Sequence, residues 1–275
     1  KSGTSGSMYL LYSAGLGANG NEYVYGNNIY NNTCSGTGTV YCLYSNSVAT
    51  ATKDIYGNNI YSNTSGGPIQ SLTQTLGLIA NVYKNQVYNN SSTSALTTAG
   101  LVRGITASSG TTVNIYNNFV SDLKATTSAG TDAIRGIEIS STSTNTTYGV
   151  YYNTVYLDAS SSGANFGTTG IYHTRSAAAT TAVLDMRNNI IVNNSTPAGT
   201  GLTVAFRRSA ATDLVNFGNS SNNNDLFGGT PSASRLIFYD GTNSDQTMTT
   251  YKSRVTPREV SSFSALPNFL NVAAT

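Results

Sequence analysis

The sequence predicts an all-β chain wound as a solenoid, a β-helix of about eight rungs with an asparagine ladder and an irregular C-terminal cap. Three observations carry the prediction. Asn27, Asn58, Asn85, Asn117, Asn153, Asn188 and Asn219 recur at steps of 31, 27, 32, 36, 35 and 31 residues. The first six lie in near copies of one phrase: YGNNIYNN, YGNNIYSN, YKNQVYNN, IYNNFV, YYNTVY and MRNNIIV. Only 9% of the 275 residues are Asp, Glu, Lys or Arg, and Asn, Ser, Thr, Gly and Tyr fill the polar positions instead. Identical neutral side chains one rung apart hydrogen-bond to each other, whereas like charges stacked in the same way repel.

One unit is clearest in GLVRGITASSGTTVNIYNNFVSDLKATTSAG. It reads as an apolar strand, a Gly/Ser/Thr turn, a second strand ending at the asparagine, a short third strand and a long polar loop. Three strands per turn is the grammar of a β-helix. The first strands are MYLLYS, VYCLYS, TLGLIA, LVRGITA, AIRGIEIS, TGIYHTR and LTVAFRR, whose apolar residues alternate with polar ones as half-buried strands require. Near the C-terminus MTTYKSRV is the one segment with a helical character. Residues 1–239 are therefore read as repeats and 240–275, which leave the period and contain Pro257 and Pro267, as a capping segment.

Asparagine suits the corner because a bend between flat sheets needs a residue that tolerates the left-handed region, and Asn does so best after Gly. Rungs lie about 4.8 Å apart, so amides in one column donate to the next rung and accept from the last. The structural role is favoured over a binding role. The 19 tyrosines form two further columns: Tyr30, Tyr61, Tyr88 and Tyr156 three residues after the ladder Asn, and Tyr25, Tyr56 and Tyr83 two before it. Rings packed face to edge along the solenoid would cover apolar surface. A platform for saccharides is the functional alternative.

Composition excludes several classes. With a net charge of +2 and no basic run longer than Arg207-Arg208, no phosphate-neutralising stripe exists, and nucleic acid is set aside. No apolar stretch is long enough to span a bilayer, and KSGTSGSMYLLYSAG has neither a basic start nor a continuous apolar core of a signal peptide. The start on a strand without Met reads as a processed product or a piece of something longer. Cys34 and Cys42, eight residues apart around a Gly-rich turn, are spaced for a local disulfide if the turn folds back, or are two free buried thiols. No metal site or cofactor is expected: the cysteines have no neighbouring ligands, Asp is sparse, and the nonapeptide calcium repeat and phosphate-binding loop are missing.

A catalytic constellation was sought by aligning rungs on Gly77, Gly104, Gly136 and Gly170. Two residues after each stand Ile79, Thr106, Glu138 and Tyr172, which supplies one acid where hydrolysis usually wants a pair. Just before each stand Leu76, Arg103, Arg135 and Thr169, placing two guanidiniums one rung apart. Arg103, Arg135, Glu138 and Tyr172 are the candidate ligand-binding residues, since Arg forks hold uronates or sulfates. Neutralisation of the arginines by Asp132 and Glu138 is the favoured alternative. His173, the single histidine, reads as a surface residue, and no catalytic residue is assigned.

The phrases GVYYNTVYLDASSSGANFGTTGIYHTRS, LDMRNNIIVNNSTPAGTGLTVAFRRS and SRVTPREVSSFSALPNFLN resemble right-handed parallel β-helix modules of large secreted bacterial surface proteins, related in fold to pectate lyases. SSFSALPNFLN is similar to the closing S-x-x-x-x-P-x-F segment of such proteins. The resemblance implies an extracellular or cell-surface location and export, commonly through type IX machinery with a C-terminal sorting domain, which is not recognised within these 275 residues. It carries no activity, because the calcium-binding aspartates of the lyases have no counterpart here. The expected function is thus a non-enzymatic structural or adhesive module of a filament, sheath or coat, which associates end to end with itself or with further β-helix modules. A carbohydrate-binding or polysaccharide-degrading protein is the alternative.

Overall fold

A computed structural model describes residues 5–14, 17, 20–211 and 213–270. The chain is a parallel β-solenoid of about seven turns, one fewer than the sequence suggested. Among the described residues four sheets run along it. The longest collects Met8–Ala14, Val40–Asn46, Ile69–Thr75, Val102–Ala107, Ile134–Ile139, Thr168–His173, Thr203–Arg208 and Arg235–Tyr239, all parallel, and ends on the antiparallel Ser244–Asp245. A second sheet holds Asn21–Tyr25 and its equivalents down to Val183–Arg187, and a third runs from Asn28–Tyr30 to Asp225–Phe227. The fourth, of two-residue strands from Thr33–Cys34 to Lys124–Ala125, lies within what the sequence presented as polar loop.

Inward columns of apolar residues fill the interior. Leu43, Leu72, Ile105, Ile137, Ile171, Phe206 and Phe238 stack in register from the long sheet, and Ile55, Val82, Ile115, Val150 and Met186 from the second. All are essentially inaccessible, so each rung buries its apolar edge only against its neighbours. In the long sheet two successive residues point inward, and Gly104, Gly136 and Gly170 occupy that bend. A Cβ on Gly136 would lie 2.5 Å from Val155 Cγ1 and 2.7 Å from the carbonyl oxygen of Gly170, so only a hydrogen fits.

The asparagine ladder is present, with its members shifted at three places. Side-chain amide donates to side-chain oxygen in one unbroken series: Asn27 to Asn58 (2.8 Å), Asn58 to Asn85 (2.9 Å), Asn85 to Asn118 (2.9 Å), Asn118 to Asn153 (2.9 Å), Asn153 to Asn189 (3.0 Å) and Asn189 to Asn224 (2.9 Å). Asn117 and Asn188 are the residues before the ladder, and Asn219 is exposed in a turn away from it. The physical reason is a division of labour at the corner. The left-handed backbone belongs to the preceding residue, Gly26, Gly57, Lys84, Asn117, Tyr152, Asn188 and Asn223, with φ from 53° to 66°. That bend frees the next side chain to point inward and bond along the axis. A second, shorter ladder joins Asn32, Asn63 and Asn90 at the next corner and stops where Leu123 takes the position.

The C-terminal end is covered. The helix Met248–Val255, capped by the Thr247 hydroxyl that accepts from the Thr250 N–H, lays Tyr251 on Phe238 at 5.2 Å between ring centres and buries Val255. The ladder itself closes on this segment. Asn224 donates its side-chain amide to the Glu259 carboxylate at 3.0 Å and its backbone N–H to the Ser262 hydroxyl at 2.8 Å.

Candidate functional site

The outer face of the long sheet carries the charge. Strand register places Tyr9, Tyr41, Gln70, Arg103, Arg135 and Thr169 in one column and Tyr12, Tyr44, Thr73, Thr106, Glu138, Tyr172, Arg207 and Tyr239 in the next. The sequence alignment on Gly77 is corrected here: Ser71 is the residue in line with Gly104, and TLGLIA is a strand end, a turn and the start of a second-sheet strand. Gln70 and Thr73 therefore stand where Leu76 and Ile79 were expected.

Arg103, Arg135, Glu138 and Tyr172 are brought together. Arg135 forks onto Asp132 Oδ2 through Nε (2.9 Å) and Nη2 (2.8 Å), gives Nη1 to Glu138 Oε1 (2.7 Å), and lies over the Tyr172 ring at 3.5 Å. Arg103 Nε pairs with the other oxygen of Glu138. On the far side Asp132 Oδ1 accepts from the Thr169 hydroxyl at 2.5 Å and faces Arg207 Nε at 3.6 Å. Arg207 in turn stacks over Tyr239. Three guanidiniums and two carboxylates thus alternate along the face. Burial alone would lower the Arg135 pKa, but Asp132 and Glu138 hold it above its ordinary value. Both acids are spoken for by arginine, an arrangement suited to rigidity rather than to proton transfer.

Because Arg135 is only 8% exposed, its loss would leave the buried carboxylates of Glu138 and Asp132 with only Arg103 and Arg207 as cationic partners. Arg135→Met is expected to destabilise the fold by about 3–5 kcal/mol. Arg135→Met with Asp132→Asn and Glu138→Gln should recover most of that loss, as read by urea unfolding. A triple variant no better than the single one would show that the network does not act as a unit.

Beside the network a cleft of about 230 Å³ opens between Tyr41, Tyr44, Gln70, Arg103 and Glu138. On the second and third sheets the aromatic columns are stacked face to face, not face to edge as expected. Tyr25, Tyr56, Tyr83 and Tyr116 follow one another at 4.9–5.0 Å with planes 3–8° apart, and Tyr30, Tyr61 and Tyr88 do the same. Parallel strands in register impose this, since one rotamer repeated at the rung spacing superposes the rings. The interior rings therefore spend both faces on each other. Tyr156 leaves the series, because Ser121 intervenes, and meets Phe269 edge-on.

Several titratable groups lie elsewhere. His173 is fully buried, not on the surface: its Nε2 lies 2.9 Å from the Ala182 carbonyl, and burial, reinforced by Arg208, pulls its pKa down to about 3. The long-sheet strand reaches its inward parity at this residue. Cys34 and Cys42 are free and buried, with Cys34 donating to the Met8 sulfur at 3.3 Å. The turn between them does not fold back as a hairpin; it leads from the short sheet of one rung into the long sheet of the next, and burial pushes the Cys42 thiol far up.

Sequence reasoning missed the Glu22–Lys53 pair altogether. Lys53 is inaccessible, donates to the carbonyls of Thr75 (2.6 Å) and Ser45 (3.2 Å), and sits 3.6 Å from Glu22, whose other oxygen takes the Ser45 hydroxyl. Burial lowers the Lys53 pKa to about 8 against the opposing effect of Glu22. Parity was the available signal, since Glu22 and Val24 share one face of their strand. Among the described residues no three His, Cys, Asp or Glu side chains gather as metal ligands, and no helix is long and apolar enough to cross a membrane.

No protein-family description, no curated protein and no solved structure matches this chain.

Proposed function

We propose that the chain is a non-enzymatic structural or adhesive module of a secreted or cell-surface protein, a rigid run of stacked rungs joined to further β-helix modules. The observation that carries this reading is the self-contained charge of the long sheet. Arg103, Glu138, Arg135, Asp132 and Arg207 neutralise one another in series, so the carboxylates that a lyase or glycosidase would hold free are bound by guanidiniums. The stacked tyrosines and the amide ladder likewise spend their polar and aromatic groups on neighbouring rungs. About seven turns give a prism roughly 34 Å long at the usual strand spacing. Kinship with pectate-lyase-like surface modules and export by type IX machinery are the finer parts of the proposal and rest on the sequence resemblance.

Incubation with acidic and neutral polysaccharides, with cleavage followed by new chain ends, is expected to yield no turnover. Cleavage abolished by Glu138→Gln would overturn the proposal. One observation supports a second reading as a carbohydrate-binding protein: the cleft at Tyr41, Tyr44 and Arg103 contains Thr106 Oγ1, which is buried and has no protein partner. Glycan-array binding that disappears in Arg103→Ala would favour it.

A further inference from the structure

We infer that Lys53 and Glu22 condense, with loss of water, to an amide that joins the strands Asn21–Tyr25 and Thr52–Tyr56 covalently. The inference goes beyond the proposed function and does not depend on it.

Strand register sets the two residues side by side. Glu22 pairs with Lys53, both side chains point inward, and the same column continues as Ala80, Val113, Tyr148 and Leu184. An ion pair thus stands in an otherwise apolar column, where the loss of hydration offsets most of its attraction. The fold makes room for it. Ala80 is the smallest side chain of the column, and a Cβ on Gly77 would lie 2.8 Å from Lys53 Cδ, so a glycine there admits the lysine stem. Lys53 is inaccessible and Glu22 only 5% exposed, which shuts the pair off from bulk water.

The hydrogen bonds around the pair already suit an amide. Lys53 Nζ donates to the carbonyl oxygens of Thr75 (2.6 Å) and Ser45 (3.2 Å), and Glu22 Oε2, 3.6 Å away, is the third polar atom around it. With two N–H groups held by carbonyls, the position that empties when Nζ gives up a proton is the one facing Glu22. The two carboxylate oxygens also differ. Oε1 accepts from the Ser45 hydroxyl at 2.9 Å, whereas Oε2 is buried and receives no hydrogen bond. Condensation removes the orphaned oxygen and keeps the bonded one as the amide carbonyl. The remaining N–H still reaches the Thr75 carbonyl, and the Ser45 carbonyl retains the Thr75 hydroxyl as a donor at 3.3 Å. Both polar atoms of the amide are then satisfied, and two buried charges are gone.

The step needs no further reagent. Nζ passes one proton to Glu22 Oε2, a transfer helped by burial, which brings the Lys53 pKa down to about 8. The freed lone pair attacks Cδ, and the electron pair of the C=O bond moves onto Oε1 under the Ser45 hydroxyl. A second proton passes from nitrogen to Oε2, which leaves as water while the carbonyl re-forms. One C–N bond forms, one C–O bond breaks, and nothing is oxidised or reduced. Holding the amine against the carboxyl in a dry interior turns a bimolecular encounter into an internal one.

The test is the mass of the intact chain, unfolded before measurement. A value one water below that of the sequence is expected, with trypsin no longer cutting after Lys53 and with no separate fragments from backbone breaks between residues 22 and 53. Lys53→Met and Glu22→Leu should each show the full mass of their own sequences. Should either variant fail to fold, the position of the missing water in the parent digest still decides. Full sequence mass after prolonged incubation of the folded protein, with trypsin cutting after Lys53, would overturn the inference. So would a missing water that persists in both variants or maps to another pair of residues.

Discussion

Asn118→Ala is expected to cost about 3–5 kcal/mol, while the same change at its neighbour Asn117 costs about 1 kcal/mol or less. The two residues adjoin in one Asn-Asn doublet, but their bonds differ. Asn118 is 2% exposed, accepts the backbone N–H and amide of Asn85, and donates to the Val82 carbonyl, the Tyr116 carbonyl and Asn153. Removing it strands a buried backbone donor and interrupts the amide series in mid-solenoid, where each rung is held only by its neighbours. Asn117 contributes a left-handed backbone, φ 53°, that alanine adopts at modest expense. Urea unfolding of the two variants decides it; equal costs, or the reverse order, would sink the assignment of the ladder to the second residue of the doublet.

Acid titration is expected to show a plateau followed by a fall. Burial raises the Glu259 pKa from 4.5 to about 7, against the hydrogen bonds from Asn224 and Ser262 and the charge of Lys252, with Asp185 adding to the rise. The folded state therefore binds a proton that the unfolded state lacks between those values, and stability increases by about 3 kcal/mol as pH falls through this window. His173 acts oppositely. Its folded pKa of about 3 lies below the ordinary 6.5, so the unfolded chain takes the proton first and stability is lost as pH falls from 6.5 toward 3. The two slopes cancel between about pH 4.5 and 6.5, and below that His173 prevails. Asp225, also raised by burial, contributes in the direction of Glu259.

Glu259→Gln isolates the first effect. Glutamine keeps an acceptor for Asn224 without a charge, so the variant should exceed the parent by up to about 3 kcal/mol above pH 7 and match it below pH 4.5. Chemical denaturation across pH measures the difference curve directly. A difference independent of pH would mean that the Glu259 carboxyl takes up its proton alike in the folded and unfolded chain and that burial at the end of the ladder does not raise its pKa.

How far the sequence led can be traced at single residues. The glycines of YGNNIY stand at the left-handed corner, so an alignment on Gly26 and Gly57 would have assigned Asn118 and Asn189 to the ladder; an alignment on the first Asn of each doublet misses them by one. In the candidate site, the adjacency of Arg103 and Arg135 and the presence of Asp132 and Glu138 were legible, because parallel register follows from the repeat. Which oxygen each guanidinium takes was not, since it depends on side-chain reach across rungs. The Glu22–Lys53 pair and the Glu259 cap had only parity or no local signal at all.

By itself the sequence determined the repeat, and the repeat entails the rest of the architecture: a unit that cannot bury its own apolar edge must stack, and identical neutral side chains brought one rung apart bond in columns. Tertiary structure alone decided the exceptions to the period. His173 and Lys53 are buried because inward parity reaches them where the sheets bend, and Glu259 closes the ladder from thirty-five residues beyond Asn224 because the capping segment returns across the last rung. Periodicity carries information only where neighbours repeat. Where the capping segment takes the place of a further rung, residues outside the period set the chemistry.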